Sequence, residues 1–249
     1  MYIEQGGEGA DLLLMLHGMG ATGAVWSPMC AEAGKRWRGR WLALDLPGHG
    51  QSARQDTYAI GQYAATVGRA AVPHVHPEGR LVVLGHSLGG VIALALATGW
   101  FGLFPHRVFG AGIKVEWSDD ELRRMQALAF QPAKRFSTQE EASERYLKVA
   151  GLAGIVDASS AVVARGIERD GDGWRLAMDP RANAVGKPPL SELMGLARCP
   201  VHLGRGRNDA LVTMEHLRAL DPDAHDLGPN GHNVMVEAPD RVWDWLRSE

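Results

Sequence analysis

The strongest chemical signal in the sequence is Ser87, which lies in the segment GHSLGG at residues 85–90. This segment directly follows an apolar run at residues 81–84 and directly precedes a helix-like apolar run. A strand that reverses sharply into a helix needs residues without a β-carbon beside its apex, and Gly85 and Gly89 meet that need. We interpret Ser87 as a nucleophile raised out of a sheet. The alternative is a glycine-rich turn with an incidental serine.

A serine hydroxyl attacks a carbonyl only when a neighbouring base takes its proton, and His232 is the best placed histidine. It ends the glycine-rich segment GPNGH, between the last strand-like run and the closing helix-like run. Such a loop can hold an imidazole over the carboxyl edge of a sheet. His86 adjoins Ser87, but neighbouring residues on a tight turn point apart, so we predict that His86 shapes the pocket wall.

The imidazole in turn needs an acceptor that fixes its tautomer, and two carboxylates are candidates. Asp209 ends the segment GRGRND, just beyond an apolar run at residues 201–203. Strand ends of this kind meet at one edge of a parallel sheet, so Asp209 is the predicted acid. A turn or helix cap is the other role open to it. Glu116, just past the apolar run at residues 108–113, is the alternative acid.

Attack on a carbonyl also requires two hydrogen-bond donors for the developing oxyanion. The amide of Leu88, at the start of the predicted helix, is one of them. The segment HGMG at residues 17–20 follows an apolar run, and its glycines let the backbone approach a substrate closely. We predict that the Met19 amide is the second donor. A plain glycine turn is the alternative.

The elements that must position these residues alternate along the chain. Short apolar runs predict strands at residues 12–16, 41–44, 81–84, 108–113, 201–203 and 224–227. Helix-length stretches lie between them, at residues 59–72, 87–98, 214–220 and 240–246. Apolar strands that alternate with helices indicate an α/β fold, with a mostly parallel sheet covered by helices on both faces.

Residues 114–193 break this alternation and are predicted to form a helical cap insertion; residues 1–113 and 194–249 form the core domain. A capping-box pattern at Ser118 opens one helix, which runs to residue 129, and Ser137 or Thr138 opens a second, which runs to residue 150. Two glycines between residues 166–169 and 174–178 predict a hairpin. The aromatic residues of this segment are predicted to wall an apolar acyl pocket together with His86: Trp117, Phe130, Phe136 and Trp174.

Composition narrows the function further. The 249 residues carry a net charge of −3 with no basic stripe, so we expect no nucleic-acid partner. Cys30 and Cys199 lie far apart and beside no ligand-spaced histidines, which indicates neither a disulfide nor a zinc site. No apolar run approaches the roughly 20 residues that span a bilayer, and the amino terminus has no secretory pattern, so we predict a cytoplasmic location without membrane association.

Five segments together resemble the α/β-hydrolase superfamily, in particular its small capped serine esterase and lipase-like members. They are HGMG at residues 17–20, DLPGHGQS at 45–52, GHSLGG at 85–90, GRNDALV at 206–212 and GHNV at 231–234. The chain order Ser87, Asp209, His232 is also that of this superfamily. The resemblance implies that Asp45 and His49 shape a loop. It also implies a missing first strand, because only about ten residues precede residue 12.

The resemblance and the residues together predict an enzyme without a metal or organic cofactor, acting on a small apolar or aromatic carboxylic ester. Family members whose nucleophile is an aspartate, the epoxide hydrolases and dehalogenases, are disfavoured by Ser87. A thioesterase, lactonase, amidase or carbon–carbon bond hydrolase would use the same groups. A ligand receptor that keeps the fold but not the catalysis is the alternative from another class. The oligomeric state is left open.

Overall fold

A mixed seven-stranded sheet is the centre of the computed structural model, which describes residues 1–248. In chain order, the strands are β1 (Ile3–Gly7), β2 (Leu12–Leu16), β3 (Arg40–Leu44), β4 (Leu81–His86), β5 (Arg107–Ala111), β6 (Arg135–Phe136), β7 (Ile167–Asp170), β8 (Gly173–Leu176), β9 (Val201–Arg205) and β10 (His225–Asp226). The central sheet has the order β1-β3-β2-β4-β5-β9-β10. Within this central sheet, β1 runs antiparallel to its neighbour β3, and the other neighbouring strands are parallel. The predicted mostly parallel sheet is thus confirmed, with a single antiparallel strand before it.

Helices connect the strands. They are α1 (Ser27–Arg36), α2 (Ile60–Ala71), α3 (Leu88–Ala97), α4 (Asp119–Ala129), α5 (Gln139–Val149), α6 (Ala161–Arg165), α7 (Leu190–Leu196), α8 (Met214–Arg218), α9 (Val234–Glu237) and α10 (Pro239–Ser248). Short 3₁₀ helices lie at Gly23–Trp26, Val72–His74 and Pro180–Val185. The four helix-length stretches predicted for the core became α2, α3, α8 and α10, whereas α1, α6, α7 and α9 were not predicted.

The strand β2 shows why helices must cover both faces of the sheet. All five of its residues are buried. Successive side chains of a strand point to opposite faces. Leu12, Leu14 and Leu16 therefore enter one core with α2 and α3, whereas Leu13 and Met15 enter a second core with α1 and α10. An apolar run that is buried on both sides is typical of a parallel sheet between two helical layers.

Residues 114–193 carry the helices and the hairpin that the sequence predicts. Ser118 caps α4 by accepting a hydrogen bond from the Glu121 amide, and Thr138, rather than Ser137, caps α5. The hairpin of β7 and β8 gains a third strand, β6, that the sequence did not reveal. Helix α7 crosses the predicted boundary at residue 193 and contacts α3 of the core. The predicted domain boundary therefore falls inside a helix rather than between two elements.

Three further observations concern the described part of the chain. No helix within residues 1–248 combines the length and apolar character that crossing a membrane requires. The same residues contain no cluster of three or more histidine, cysteine or acidic side chains that could hold a metal ion. Cys30 and Cys199 are free thiols, and burial raises the pKa of Cys199 to about 11.

Candidate active site

Ser87 lies at the apex of a strained turn between β4 and α3. Its φ of 51° and ψ of −115° make it the sole non-glycine residue with positive φ among residues 1–248. Such a conformation costs roughly 1–3 kcal/mol and persists only where surrounding contacts enforce it. A β-carbon on Gly85 would lie 2.2 Å from the Gly89 carbonyl oxygen, and one on Gly89 would lie 2.1 Å from the Leu16 carbonyl oxygen. Backbone packing thus requires both glycines and leaves the half-buried serine at the apex.

Asp209 and His232 form a direct hydrogen-bonded pair. Nδ1 of His232 donates to Oδ2 of Asp209 at 2.8 Å, and Oδ1 of Asp209 accepts from the Leu211 amide at 2.8 Å. The Asp209 side chain is fully buried, and that of His232 is 20% exposed. The carboxylate therefore fixes the imidazole tautomer with its proton on Nδ1, which leaves Nε2 as an acceptor. Glu116, the alternative acid, is exposed and has no recorded contact with His232.

Backbone hydrogen bonds tie the loops of Asp209 and His232 to each other. The amide of Arg207 donates to the Gly228 carbonyl at 2.7 Å, and that of Asn208 donates to the Asn230 carbonyl at 2.9 Å. A second contact comes from β4, where Nε2 of His86 donates to the carbonyl of His232 at 2.9 Å. These hydrogen bonds fix the two loops relative to each other and therefore fix the backbone position from which the His232 imidazole extends.

His86 takes a different place from the predicted one. It is 3% exposed and lies beneath His232, with the two ring centroids 4.6 Å apart. Burial lowers the pKa of His86 well below its usual value, and the neighbouring ring of His232 adds to this effect. A neutral His86 supports the loop that carries His232 and does not line the cleft at Ser87.

One small cleft brings Ser87 and His232 together with both predicted oxyanion donors. Met19 and Leu88 line it, as does Trp117 from the segment after β5. Leu88 is the first residue of α3, where a helix leaves its amides without intrahelical acceptors. Neither the Met19 nor the Leu88 amide has a recorded protein acceptor within residues 1–248. A cavity of about 90 Å³ therefore brings Ser87 and His232 together with Met19 and Leu88, whose amides are the predicted oxyanion donors.

The other three predicted pocket aromatics lie outside this cleft. Phe130 is 86% exposed and lies at the rim of a separate, larger groove of about 930 Å³, which does not include Ser87. Phe136 and Trp174 pair across β6 and β8, where both pack against the second core. The side-chain direction that β-sheet register imposes turns these two rings toward that core. Phe130, Phe136 and Trp174 therefore do not line the cleft at Ser87, contrary to the prediction that they wall an acyl pocket.

Several other residues that line the cleft are not indicated by the sequence. Lys114 lies shortly after the end of β5, Met125 comes from α4, and Ile60 begins α2. None of these residues belongs to a recognisable motif. Only the position of Lys114, just beyond a predicted strand, could have indicated its place at the same sheet edge as Ser87.

Asp45 and His49 hold a loop beside the site, which agrees with the role that the sequence resemblance implies. Asp45 is fully buried and accepts hydrogen bonds from the amides of Gly23 and Gln51 at 2.7 and 2.9 Å. Nδ1 of His49 donates to the Pro47 carbonyl at 3.1 Å. The ring of His17 lies edge-on to that of His49, with the centroids 5.2 Å apart. These polar groups connect the loops and do not line the cleft at Ser87.

This buried histidine pair makes stability depend on pH. Burial lowers the pKa of His17 to about 4, and burial together with the charge of His17 lowers that of His49 to about 3. The unfolded chain takes up protons near pH 6.5 that the folded chain refuses, so stability falls as pH drops from about 6.5 toward 4. Each such histidine contributes a slope of up to about 1.4 kcal/mol per pH unit. We expect urea unfolding between pH 7 and pH 5 to show this loss.

In the variant His49→Gln, the free energy of unfolding should change less steeply with pH between pH 7 and pH 5 than in the wild type. The substitution removes one histidine that binds a proton in the unfolded chain but not in the folded chain. His76 is exposed, so His76→Gln serves as the matched control and should leave the slope unchanged. Ordinary carboxylates titrate near pH 4 and contribute little above pH 5. A wild-type free energy of unfolding that stays flat from pH 7 to pH 5 would contradict the assignment of neutral buried histidines.

Known proteins share both sequence and architecture with this chain. The model of the "Alpha/beta hydrolase family" matches residues 13–245. A segment of 97 residues is 37% identical to the pimeloyl-[acyl-carrier protein] methyl ester esterase of Aliivibrio salmonicida, and it covers 39% of this chain and 34% of that protein. The match therefore spans about a third of the relative's length.

Two solved structures are similar over nearly the whole chain. The thioesterase domain from the curacin biosynthetic pathway has a TM-score of 0.80 at 18% identity, with 98% of this chain and 94% of that one covered. An E-2-(acetamidomethylene)succinate hydrolase has a TM-score of 0.79 at 20% identity, with coverage of 99% and 93%. At such identities the likeness establishes the fold alone. Because the family model spans almost all of the sequence, the chain belongs to the alpha/beta hydrolase family.

Proposed function

We propose that this protein is a serine hydrolase that cleaves a small carboxylic ester through Ser87, His232 and Asp209. The observation that carries the proposal is the single cleft in which a strained, half-buried Ser87 faces the same space as His232, whose Nδ1 lies 2.8 Å from Oδ2 of Asp209. Membership of the hydrolase family and the esterase among the relatives support hydrolysis as the reaction class.

In the proposed mechanism, the Ser87 hydroxyl attacks the ester carbonyl while Nε2 of His232 takes its proton. The negative charge of Asp209 stabilises the imidazolium that forms. The amides of Met19 and Leu88 donate to the oxyanion of the tetrahedral intermediate, and the helix dipole of α3 favours that charge. Collapse of the intermediate releases the alcohol with the proton from His232 and leaves an acyl group on Ser87. Water then repeats the sequence and releases the acid.

Residues 114–193 act as a cap in this proposal, because they supply Trp117 and Met125 to the cleft above the sheet. Helix α4 is held mainly by its contact with the 3₁₀ helix Pro180–Val185, and Ala129 is its one buried residue. A helix with so little buried surface can move at a small cost. The cap thus controls which acyl groups reach Ser87, whereas the chemical groups come from the core.

A fluorophosphonate probe tests the assignment of the nucleophile. The probe phosphonylates a serine that is activated by a neighbouring base, and peptide mass spectrometry then locates the adduct. We expect a single adduct on Ser87 of the folded protein and none after heat denaturation. A panel of short esters, thioesters and lactones identifies the bond that is cleaved. A folded protein that neither reacts with the probe nor turns over any member of the panel would support the receptor alternative.

A further inference from the structure

Lys114 is a lysine in the lining of the cleft at Ser87, whose other walls are mostly apolar. It lies shortly after the end of β5 at Ala111 and lines the same cavity as Ser87 and His232. Among the described residues that line this cavity, only Lys114 has a side chain with a fixed charge; the walls are built from residues such as Ile60 and Val91. An ammonium group in apolar surroundings is costly unless acceptors compensate it. The presence of a lysine in the same cavity lining as Ser87 therefore calls for an explanation.

The contacts of the Lys114 ammonium leave part of its donor capacity unused. Its Nζ donates to Oε1 of Glu121 on α4 and lies 4.8 Å from the centroid of the Trp117 ring. An ammonium has three donors, and Glu121 is its one recorded hydrogen-bond acceptor within residues 1–248. The Lys114 side chain is 18% exposed, so bulk water has limited access to the remaining donors. An acceptor on a bound substrate would complete its hydrogen bonding.

Glu121 is held in place by a second set of contacts and need not leave for a substrate to bind. Its Oε2 accepts from the amide of Ser118 at 2.9 Å and from the Ser118 hydroxyl at 3.1 Å, as part of the capping box of α4. The Glu121 side chain is 40% exposed, against 18% for Lys114. Water therefore screens the carboxylate more than it screens the ammonium. A negative group inside the cleft would be attracted by Lys114 more than it would be repelled by Glu121.

We propose that Lys114 recognises a carboxylate at the far end of a short acyl chain, so that the preferred substrates are half-esters of short dicarboxylic acids. This inference rests on the proposed function of Ser87. The small cavity of about 90 Å³ favours a short acyl chain. Typical sites for larger ligands enclose about 300–1,000 Å³. The hydrogen bond from Lys114 to this carboxylate should raise kcat/KM roughly 10- to 100-fold above that of an ester without the carboxylate.

The test compares esters that differ in the terminal carboxylate but have equal carbon number in the acyl chain. Monoethyl adipate is paired with ethyl hexanoate and monoethyl glutarate with ethyl pentanoate, and released acid is followed by titration at constant pH. The measured quantity is the ratio of kcat/KM for the anionic ester to that for the neutral ester. In Lys114→Met this ratio should fall about 10-fold or more. In Glu121→Gln it should rise, because a repelling charge is removed.

Additional variants distinguish a failure of the role of Lys114 from a failure of the proposed ester hydrolysis. Lys114→Arg should retain most of the ratio, and Lys114→Gln replaces Lys114→Met if the latter fails a thermal unfolding check. An unchanged ratio in the folded Lys114 variant, or equal losses on both esters, would overturn the role of Lys114 and leave Ser87 as the nucleophile. A folded wild type that hydrolyses neither ester of either pair would overturn the proposed ester hydrolysis, and the inference with it.

Discussion

Replacing Ser87 by alanine is expected to lower kcat/KM for a short ester by at least roughly 10⁴-fold. Among the described side chains that line the cleft, Ser87 carries the only hydroxyl, so no neighbouring group can form the acyl-enzyme in its place. Loss of a nucleophile of this kind removes most of the rate enhancement, and the rest comes from oxyanion donors and substrate binding. Initial rates with p-nitrophenyl acetate, at matched protein concentration, measure the change.

The fold should tolerate this substitution well. Alanine keeps the β-carbon at a φ of 51°, so the strain of the turn is retained and the melting temperature should change little. Ser191→Ala is the matched control, because Ser191 is an exposed serine on α7. It should keep full activity. A folded Ser87→Ala protein with more than about a tenth of wild-type turnover would place the nucleophile elsewhere.

The residues that the sequence predicted best are those whose position follows from backbone geometry. Gly85 and Gly89 permit a turn that no larger residue fits, and this turn determines where Ser87 lies. Likewise, the apolar runs that became β9 and β10 end at one edge of the sheet, which brings the following loops together. The proximity of Asp209 and His232 therefore follows from the positions of strand ends, without any side-chain contact.

The pocket aromatics could not be predicted in the same way, because a side chain in an insertion takes its direction from packing rather than from a motif. Trp117 lines the cleft, but Phe130 is exposed on another surface, although both lie near an end of α4. The pairing of β6 with β8, which the sequence did not reveal, sets the direction of Phe136. Lys114 was missed for a related reason, since a single charged residue after a strand has no signature.

Helix α1 was missed although its signals are present. Pro28 occupies its first turn, which suits the fixed φ of proline, and Lys35 and Arg36 lie in its last turn, where cations favour the helix dipole. Its apolar residues are mostly small, and only Met29 and Ala33 are buried. Hydrophobic periodicity, on which the sequence analysis relied, is weak in such a helix. Capping and charge signals would have located it.

Replacing Asp209 by asparagine is expected to reduce turnover by roughly 10²-fold or more. Both carboxylate oxygens accept hydrogen bonds, Oδ2 from Nδ1 of His232 and Oδ1 from the amide of Leu211, each at 2.8 Å. Asparagine offers one acceptor and one donor in the same volume, so it satisfies only one of these two donors. If its oxygen faces the Leu211 amide, its NH₂ group faces the imidazole and favours the tautomer with the proton on Nε2.

That tautomer cannot accept the Ser87 proton, and the analogous change in another serine hydrolase lowers kcat by about 10⁴-fold. Steady-state kinetics on a short ester measure the loss, with circular dichroism as the folding control. Glu116→Gln is the matched control, because Glu116 is an exposed carboxylate in the segment that follows β5, the strand beside β9. It should cost less than a factor of about 3. If folded Asp209→Asn kept near-normal turnover while Glu116→Gln lost it, the orienting carboxylate would be Glu116, and the contact between Asp209 and His232 would serve only to join two loops.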